Sequence, residues 1–331
     1  FFGANSGSLG SIEGNGSGSI VLSGAGADYA EWLPRLRADE TFAPGDIVGI
    51  RLGVAAGATV SQEAIDKERE RLGLNKPMQE QFTDWMVGVV TFNYGKSMWT
   101  NRPVMQEIRD RIQVSLQTAI MGTLIAVVIA IPLGALSALY QGTWLDQIVR
   151  VITIGGIAVP SFWLGLLLLL FLLVQFKWAP PLTFKPIYVD WQSNLQLLIW
   201  PALAIGYRLA ALIARMIRSS LLEVLNEDYI RTARAKGVYE ALVIRRHALR
   251  NALLPAVTVI GIEFALLIGG LVVTEQVFNI NGIGRLFVDA VSRNDFLLIQ
   301  GLVMVTAIFF MLVNLVVDLI YAALDPRIKL S

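Results

Sequence analysis

The stretch Asn226–Pro255 reads NEDYIRTARAKGVYEALVIRRHALRNALLP and lies between two strongly hydrophobic segments of the chain. Across residues 215–250, eight Lys or Arg residues stand against four Asp or Glu residues. A basic loop between two membrane spans is typical of the cytoplasmic side. Asn226 is a suitable N-cap and Gly237 a natural helix stop, so we expect a short helix over Glu227–Lys236.

The composition predicts an integral membrane protein. The 331 residues are 55% hydrophobic and only 16% charged, and the mean hydropathy is +0.59. Soluble domains have about 25% charged residues. A net charge of +1 gives no basic field for nucleic acid, so we expect no nucleic-acid partner. The chain has no Cys, and His247 is its one His, so we expect no catalytic residues and no metal site.

We expect an all-α polytopic membrane protein with about five transmembrane helices, because about 20 apolar residues cross a bilayer. The expected spans are approximately 113–140, 150–176, 195–218, 251–274 and 297–320. Three proline residues should kink these helices, namely Pro132, Pro160 and Pro201. Small-residue seams should pack the helices against each other, at Gly122, Gly155-Gly156 and Gly269-Gly270.

The Lys and Arg bias of the loops predicts the orientation. The 215–250 loop and the C-terminal tail should be cytoplasmic, and residues before 112 should be external. This scheme leaves an external N-terminal part without a preceding span to carry it across the membrane. A missing first helix would resolve that conflict.

Several short segments carry a family resemblance. The run RTARAKG at 231–237, followed by HALRN at 247–251, resembles the cytoplasmic coupling loop of ABC-transporter permeases. The resemblance is closest to the dipeptide, oligopeptide and nickel group of binding-protein-dependent importers. The general motif begins Glu-Ala-Ala; Arg231 and Thr232 replace its first two residues, while Ala233 and Gly237 match. Further segments that resemble this group are PSFWLG at 160–165, EQVF at 275–278 and GIGR at 282–285, where Asn281 replaces a usual Pro.

The resemblance implies a permease subunit of an ATP-driven importer in the cytoplasmic (inner) membrane of a prokaryote, moving peptides or similar small solutes. Its implied partners are a second permease subunit, cytoplasmic ABC ATPase subunits, a periplasmic or lipid-anchored solute-binding protein, and membrane lipid. No cofactor is expected on this chain, and ATP and Mg would be bound by the ATPase subunits. The residues implied in coupling to the ATPase are Asp228, Arg231, Thr232, Ala233, Ala235, Lys236 and Gly237.

The resemblance also divides the chain. Residues 1–42 are rich in Gly and Ser, do not match the family, and are expected to be irregular and foreign to it. Residues 43–112 should form an extracytoplasmic region with helices over Ser61–Leu72 and Gln79–Val90. Residues 113–331 should form the permease domain with its coupling loop at 219–250. The family usually has six spans, so the resemblance implies that the first span is missing from this sequence.

Two charges inside predicted spans are candidates for the translocation path, Arg208 and Glu263. Intramembrane charges usually face a bundle interior or a cavity. The two side chains could line the path, or pair with each other, or Arg208 could reach along its stem to the inner interface. The alternative function is an ion-gradient secondary transporter or channel that uses Glu263 and Arg208, and a third is a non-transporting membrane scaffold.

Overall fold

A computed structural model of the chain describes residues 12–14, 20–22, 61–71, 75–181 and 183–324. Most of the predicted foreign segment 1–42, and the start of the predicted extracytoplasmic region at 43–60, lie outside these residues. The chain divides into two compact units, of which the first is Phe1–Asn93 with Met98–Asn101. The second unit is Tyr94–Ser97 with Arg102–Ser331.

The first unit contains one described hairpin and two helices. Strands β1 (Ile12–Gly14) and β2 (Ile20–Leu22) pair antiparallel, with Ile12 opposite Leu22. Isoleucine and valine favour strands, so this short hairpin forms where composition predicted irregular chain. Helices α1 (Gln62–Arg71) and α2 (Met78–Val90) confirm the two helices predicted here. The Ala64 N–H donates to the Ser61 hydroxyl at 3.4 Å, as an N-cap requires.

The second unit is a helical bundle. Its helices are α3 (Val104–Leu139), α4 (Trp144–Ala158), α5 (Ser161–Phe176), α6 (Trp191–Leu225), α7 (Asp228–Ala235), α8 (Glu240–Leu242), a π-helix (Val243–Ala248), α9 (Leu249–Ala252), α10 (Leu254–Gly270), α11 (Val272–Val277), α12 (Ile283–Ser292) and α13 (Phe296–Leu324).

Three helices in the described part of the chain are long and apolar enough to cross a membrane, namely α3, α6 and α13. Two bent pairs raise the number to as many as five. One pair is α4 with α5, bent by 100°, and the other joins Glu240–Ala252 to α10 with a bend of 46°. The prediction of about five spans is met when each bent pair counts as one span.

Helices α3 and α6 pack side by side and run in the same direction. An added Cβ at Gly206 of α6 would lie 2.9 Å from the Gly122 carbonyl oxygen of α3. Further along, an added Cβ at Gly134 would lie 2.7 Å from the Ala214 carbonyl oxygen. Contacts therefore advance together along both helices. The chain that joins the end of α3 to the start of α6 has to return across the bundle.

The α3–α6 contact depends on small residues at every fourth position. These residues are all buried: Gly122, Ala126, Ala130 and Gly134 on α3, and Ala202, Gly206, Ala210 and Ala214 on α6. Helix backbones approach closely in membranes where small residues repeat in this way. The predicted seam at Gly122 is thus part of a longer one. Gly269, by contrast, is exposed, and an added Cβ would make an ordinary contact with Thr306 at 3.6 Å, so the helices approach less closely at this position than at Gly122.

Helices α4 and α5 together make the return. Asp146, at the start of α4, bonds to Arg218 near the end of α6. Trp178, just after α5, packs on Trp200 near the start of α6, with ring centroids 5.9 Å apart. The kink expected at Pro160 is a full break in the span predicted over 150–176, and the two halves turn by 100° there. Proline has no N–H to continue the helix ladder, and neighbouring helices set the angle.

Helix α13 runs antiparallel to α10. An added Cβ would meet Val317 from Gly261 and Thr306 from Gly269, so the contacts advance in opposite senses. Helices α3, α6 and α13 therefore share one direction, and α4–α5 and α10 run back. One end of the bundle, called here the loop end, carries residues 226–253. The opposite end carries the starts of α3 and α6 and the α11–α12 segment.

Candidate functional site

Helix α7 is attached to the loop end by one buried side chain. Ile230 has no exposed surface and packs in a cluster with Leu221 of α6 and Val243 of the π-helix. The Asn251 amide also donates to the Tyr229 hydroxyl at 2.8 Å, which ties α7 to α9. The helix is therefore held on the bundle from one side.

The other side of α7 is free of contacts with the bundle core. The side chains of Asp228 and Arg231 are 96% and 71% exposed. Most of the predicted coupling residues are exposed with them: Thr232, Ala235, Lys236 and Gly237. Ala233 differs, because it is half-buried and packs against the same cluster as Ile230. A bulky residue at 233 would thus press on the bundle itself.

The start of α7 differs from the prediction by one residue. Helix α6 continues to Leu225, and Asn226 is its C-cap, with its side-chain amide donating to the Leu222 carbonyl at 2.9 Å. The N-cap position of α7 is Glu227. The prediction of Asn226 as N-cap is wrong because α6 extends seven residues beyond the predicted span and occupies that position as its own end. A single turn of chain therefore links α6 to α7.

Gly237 ends α7 as predicted. Its φ of +76° is in the left-handed region, which glycine adopts without a steric cost. Across this turn, the Arg234 guanidinium donates two hydrogen bonds to the Glu240 carboxylate, at 2.7 and 3.1 Å. The turn and the ion pair together fix how the chain leaves α7.

Arg208 and Glu263 form an ion pair between α6 and α10. Arg208 Nη2 donates to Glu263 Oε2 at 2.8 Å. The side chains are 40% and 18% exposed. Arg208 lies 17 residues from each end of α6 and is therefore at the middle of this helix, whereas the shorter predicted span placed it nearer to one end. Of the alternatives considered from sequence, the structure has the pairing.

A second ion pair on α6 was missed from sequence. Asp146 is fully buried and accepts two hydrogen bonds from Arg218, both 2.9 Å. It also accepts from the Ser137 hydroxyl at 2.6 Å and from the Gly142 N–H at 3.0 Å. This cluster joins the ends of α3 and α6 to the start of α4. The signal available in the sequence was a single acidic residue at the start of an apolar helix.

At the opposite end, Glu275 holds the α11–α12 segment against α3. Its carboxylate accepts from the Ser115 hydroxyl at 2.6 Å and from the Arg285 N–H at 2.9 Å. The Ile283 N–H donates to the same hydroxyl at 2.8 Å. An added Cβ at Gly282 would collide with the Glu275 carboxylate, so glycine is required for this close approach. These buried hydrogen bonds thus hold the turn at Gly282 against α3.

An apolar groove of about 530 Å³ lies between α3, α10 and α13, with Leu116, Phe264 and Val313 in its wall. In the described part of the chain, no three His, Cys, Asp or Glu side chains come together as a metal site would require.

Comparisons with known proteins agree on one family. Residues 130–330 match the family model described as "Binding-protein-dependent transport system inner membrane component". The probable peptide ABC transporter permease protein y4tP of Sinorhizobium fredii is 38% identical over 288 residues, which are 87% of this chain and 91% of that protein. The glutathione transport system permease protein GsiC of Escherichia coli K12 is 39% identical over 286 residues, covering 86% and 90% of the two chains.

Solved structures share the fold at lower identity. A chain of the MetNI methionine ABC transporter, in an inward-facing conformation, aligns with a TM-score of 0.53 at 20% identity, covering 67% of this chain and 97% of its own length. A chain of an amino acid ABC transporter solved with histidines aligns with a TM-score of 0.51 at 15% identity, covering 65% and 93%. These two structures support the helical membrane fold.

Proposed function

The chain belongs to the inner-membrane components of binding-protein-dependent transport systems and is a permease subunit of an ABC importer, and we propose that it moves peptides or similar small solutes. The relatives named for peptide and glutathione transport support this solute class. The solute would cross the cytoplasmic membrane of a prokaryote at the expense of ATP hydrolysed by separate subunits.

The observation that carries the coupling role is the one-sided attachment of α7. Ile230 anchors the helix in the bundle, while Asp228 and Arg231 project away from it. A short helix with one face fixed and the other exposed can seat in a groove of a partner protein. We infer that this partner is the ABC ATPase, which makes the loop end cytoplasmic. The excess of Lys and Arg in this loop supports that side.

Movement of α7 has a direct route into the bundle. Ile230 packs in the same cluster as Leu221, which belongs to the last turns of α6. Helix α6 continues from there, through Arg218, to Arg208 at its middle. A displacement of α7 by the ATPase would therefore move the helix that carries both ion pairs, Arg218–Asp146 and Arg208–Glu263. Rigid helices with two discrete arrangements transmit such movements.

The remaining partners follow from the family. Proteins of this family work with a binding protein, which would deliver the solute at the opposite end of the bundle. A second permease subunit would complete the pathway beside α6 and α10. ATP and Mg²⁺ would be bound by the ATPase subunits and not by this chain. Membership of the family favours this ATP-driven mechanism over the ion-gradient transporter and the scaffold that the sequence also allowed.

A site-directed crosslink tests the coupling role. The chain has no Cys, so a single Thr232→Cys change on the exposed side of α7 introduces the one reactive thiol. In membranes that contain the whole transporter, a short thiol-to-amine crosslinker should join this residue to the ATPase subunit, as identified by mass spectrometry. The matched control is Tyr188→Cys, at an 80% exposed position at the opposite end, which should give no such product. An ATPase product from position 188 and none from position 232 would refute the proposal.

A further inference from the structure

The Arg208–Glu263 pair leaves most of its bonding capacity unused. A guanidinium carries five N–H donors, and a carboxylate carries two acceptor oxygens. Among the described residues, the single hydrogen bond between Nη2 and Oε2 is the contact that the two side chains make through their charged groups. The Nε and Nη1 edge of Arg208 and the Oε1 atom of Glu263 therefore remain available to a third group.

The pair lies deep in the bundle and is still open to one face. Arg208 is at the middle of α6, and Glu263 is nine residues into the 17-residue α10. Charged side chains at such depth are costly unless they face water or other polar groups. The exposure of 40% for Arg208 shows that the bundle of this chain does not cover it.

The open face continues along α6 as a polar stripe. Arg208, Leu212, Arg215 and Ser219 follow one another at intervals of four, three and four residues, which places them on one side of a helix. Arg215 and Ser219 are exposed, and Leu212 is half-buried. The exposed surface of α5 carries no charged residue and presents mainly apolar side chains such as Leu166, Leu170 and Leu173. Lipid suits the α5 surface, whereas the α6 stripe requires an aqueous or polar surrounding.

We propose that Arg208 and Glu263 bind the two charged ends of a zwitterionic solute during its passage. The free edge of the guanidinium takes a carboxylate in a bidentate contact, and Glu263 Oε1 takes an ammonium group. Arginine matches the geometry of a carboxylate with two parallel hydrogen bonds. The empty pair is neutral, and it stays neutral with a zwitterion bound, so no net charge is left in the membrane in either state. This inference rests on the proposed importer function and adds the residues that select the solute.

The test compares three tripeptide probes in proteoliposomes that contain the complete transporter with its binding protein. The probes are trialanine, its C-terminal amide and its N-acetyl derivative, and the readout is the ratio of ATP-dependent uptake rates. Each ratio is compared between variants, so discrimination by the binding protein cancels. Arg208→Gln should lower the preference for trialanine over the amide by about tenfold, the effect of one lost charge-assisted contact. Glu263→Gln should instead lower the preference for trialanine over the acetylated probe.

Two further variants keep the result interpretable. Arg215→Gln removes a charge from the same stripe, seven residues away, and should leave both preferences unchanged. Arg208→Lys keeps the positive charge but loses the fork geometry, so it should give an intermediate preference even if Arg208→Gln assembles poorly. Unchanged preferences in the Arg208 and Glu263 variants would overturn the inference. An unmodified transporter that takes up none of the probes with ATP would instead count against the proposed function.

Discussion

The two ion pairs of α6 contrast in how completely they are enclosed. Arg218 and Arg208 are ten residues apart, which is roughly 15 Å along a helix. The Arg218 guanidinium makes two hydrogen bonds to Asp146, whose carboxylate is fully buried and receives two further donors. The Arg208 guanidinium makes one hydrogen bond to Glu263, and both side chains are partly exposed.

The contrast separates a structural role from a binding role. A buried carboxylate whose oxygens are all engaged fixes the helices around it and has no capacity for a ligand. A pair with one hydrogen bond and an exposed side keeps a positive and a negative group available to a ligand, and the pair itself adds no net charge. One arginine–carboxylate pair thus fixes α4 at the loop end, and the other, in our proposal, meets the solute at the middle of α6.

The largest loss of folding stability should follow from breaking the enclosed Arg218–Asp146 pair. Arg218→Ala leaves the Asp146 carboxylate buried without its main partner, a change that costs about 3 to 5 kcal/mol of folding free energy in buried pairs. Arg208→Ala should cost clearly less, because Glu263 loses a single hydrogen bond on an open face. The unfolding temperatures of the two purified variants in detergent measure the difference.

The charge at position 146 provides the control for this comparison. Adding Asp146→Asn to Arg218→Ala removes the stranded carboxylate and should restore part of the lost unfolding temperature. Equal shifts for Arg218→Ala and Arg208→Ala would show that enclosure does not distinguish the two pairs.

A smaller loss of folding stability should follow when the packing of α6, the helix that carries both pairs, is disturbed. Gly206→Val would place a Cβ 2.9 Å from a backbone oxygen of α3 and force α6 away from it. Overpacking of this kind costs about 1 to 3 kcal/mol. The matched control is Gly269→Val, where the nearest atom is 3.6 Å away. Unfolding temperatures should fall for position 206 and stay nearly constant for position 269; the reverse order would contradict the close α3–α6 packing.

The smallest effect concerns a third, solvent-accessible acidic group at the start of α6. Hydrogen bonds from the Ser193 hydroxyl, from Lys185 and from the Ser193 N–H hold the pKa of Asp190 at about 2, below its ordinary value of 3.8. A lowered pKa stabilises the fold fully above the ordinary value, and the contribution is lost as the pH falls from about 4 to 2.

The Asp190→Asn variant tests this contribution. Its unfolding temperature, measured between pH 6 and pH 2.5, should depend less on pH than that of the unmodified chain below pH 4. Parallel curves for the two proteins through this range would show that Asp190 makes no pH-dependent contribution.

Local patterns in the sequence predicted part of this architecture. Asn226 and Gly237 indicated a short helix between them, and its described bounds differ from the prediction by one residue at each end. The apolar runs indicated the spans. The charges of Arg208 and Glu263 stood out because each lies in an apolar run, and their pairing was one of the alternatives considered.

Features that depend on distant contacts were not predicted. Asp146 and Arg218 are 72 positions apart, and Asp146 was assigned to a loop, so nothing local linked the two. A kink at Pro160 was expected from the sequence, but its angle of 100° depends on how α4 and α5 pack against α6. The extension of α6 to Leu225 was missed because charged residues at 215–223 resembled a loop, whereas the contact of Arg218 with Asp146 keeps them helical. The four-residue repeat of small residues on α3 was visible in the sequence but overlooked.

The parallel packing of α3 and α6 also has a consequence for how the chain is made. Gly122 leaves the ribosome 84 positions ahead of Gly206, a delay of roughly 4 to 17 seconds at bacterial and eukaryotic synthesis rates. During that interval α3 lacks its contact with α6, because the chain must first turn back through α4 and α5. The face of α3 that later packs against α6 is made of Gly and Ala, which tolerate contact with lipid before α6 is present. The newly made chain can therefore stay partly assembled in the bilayer without a charged side chain on this face of α3.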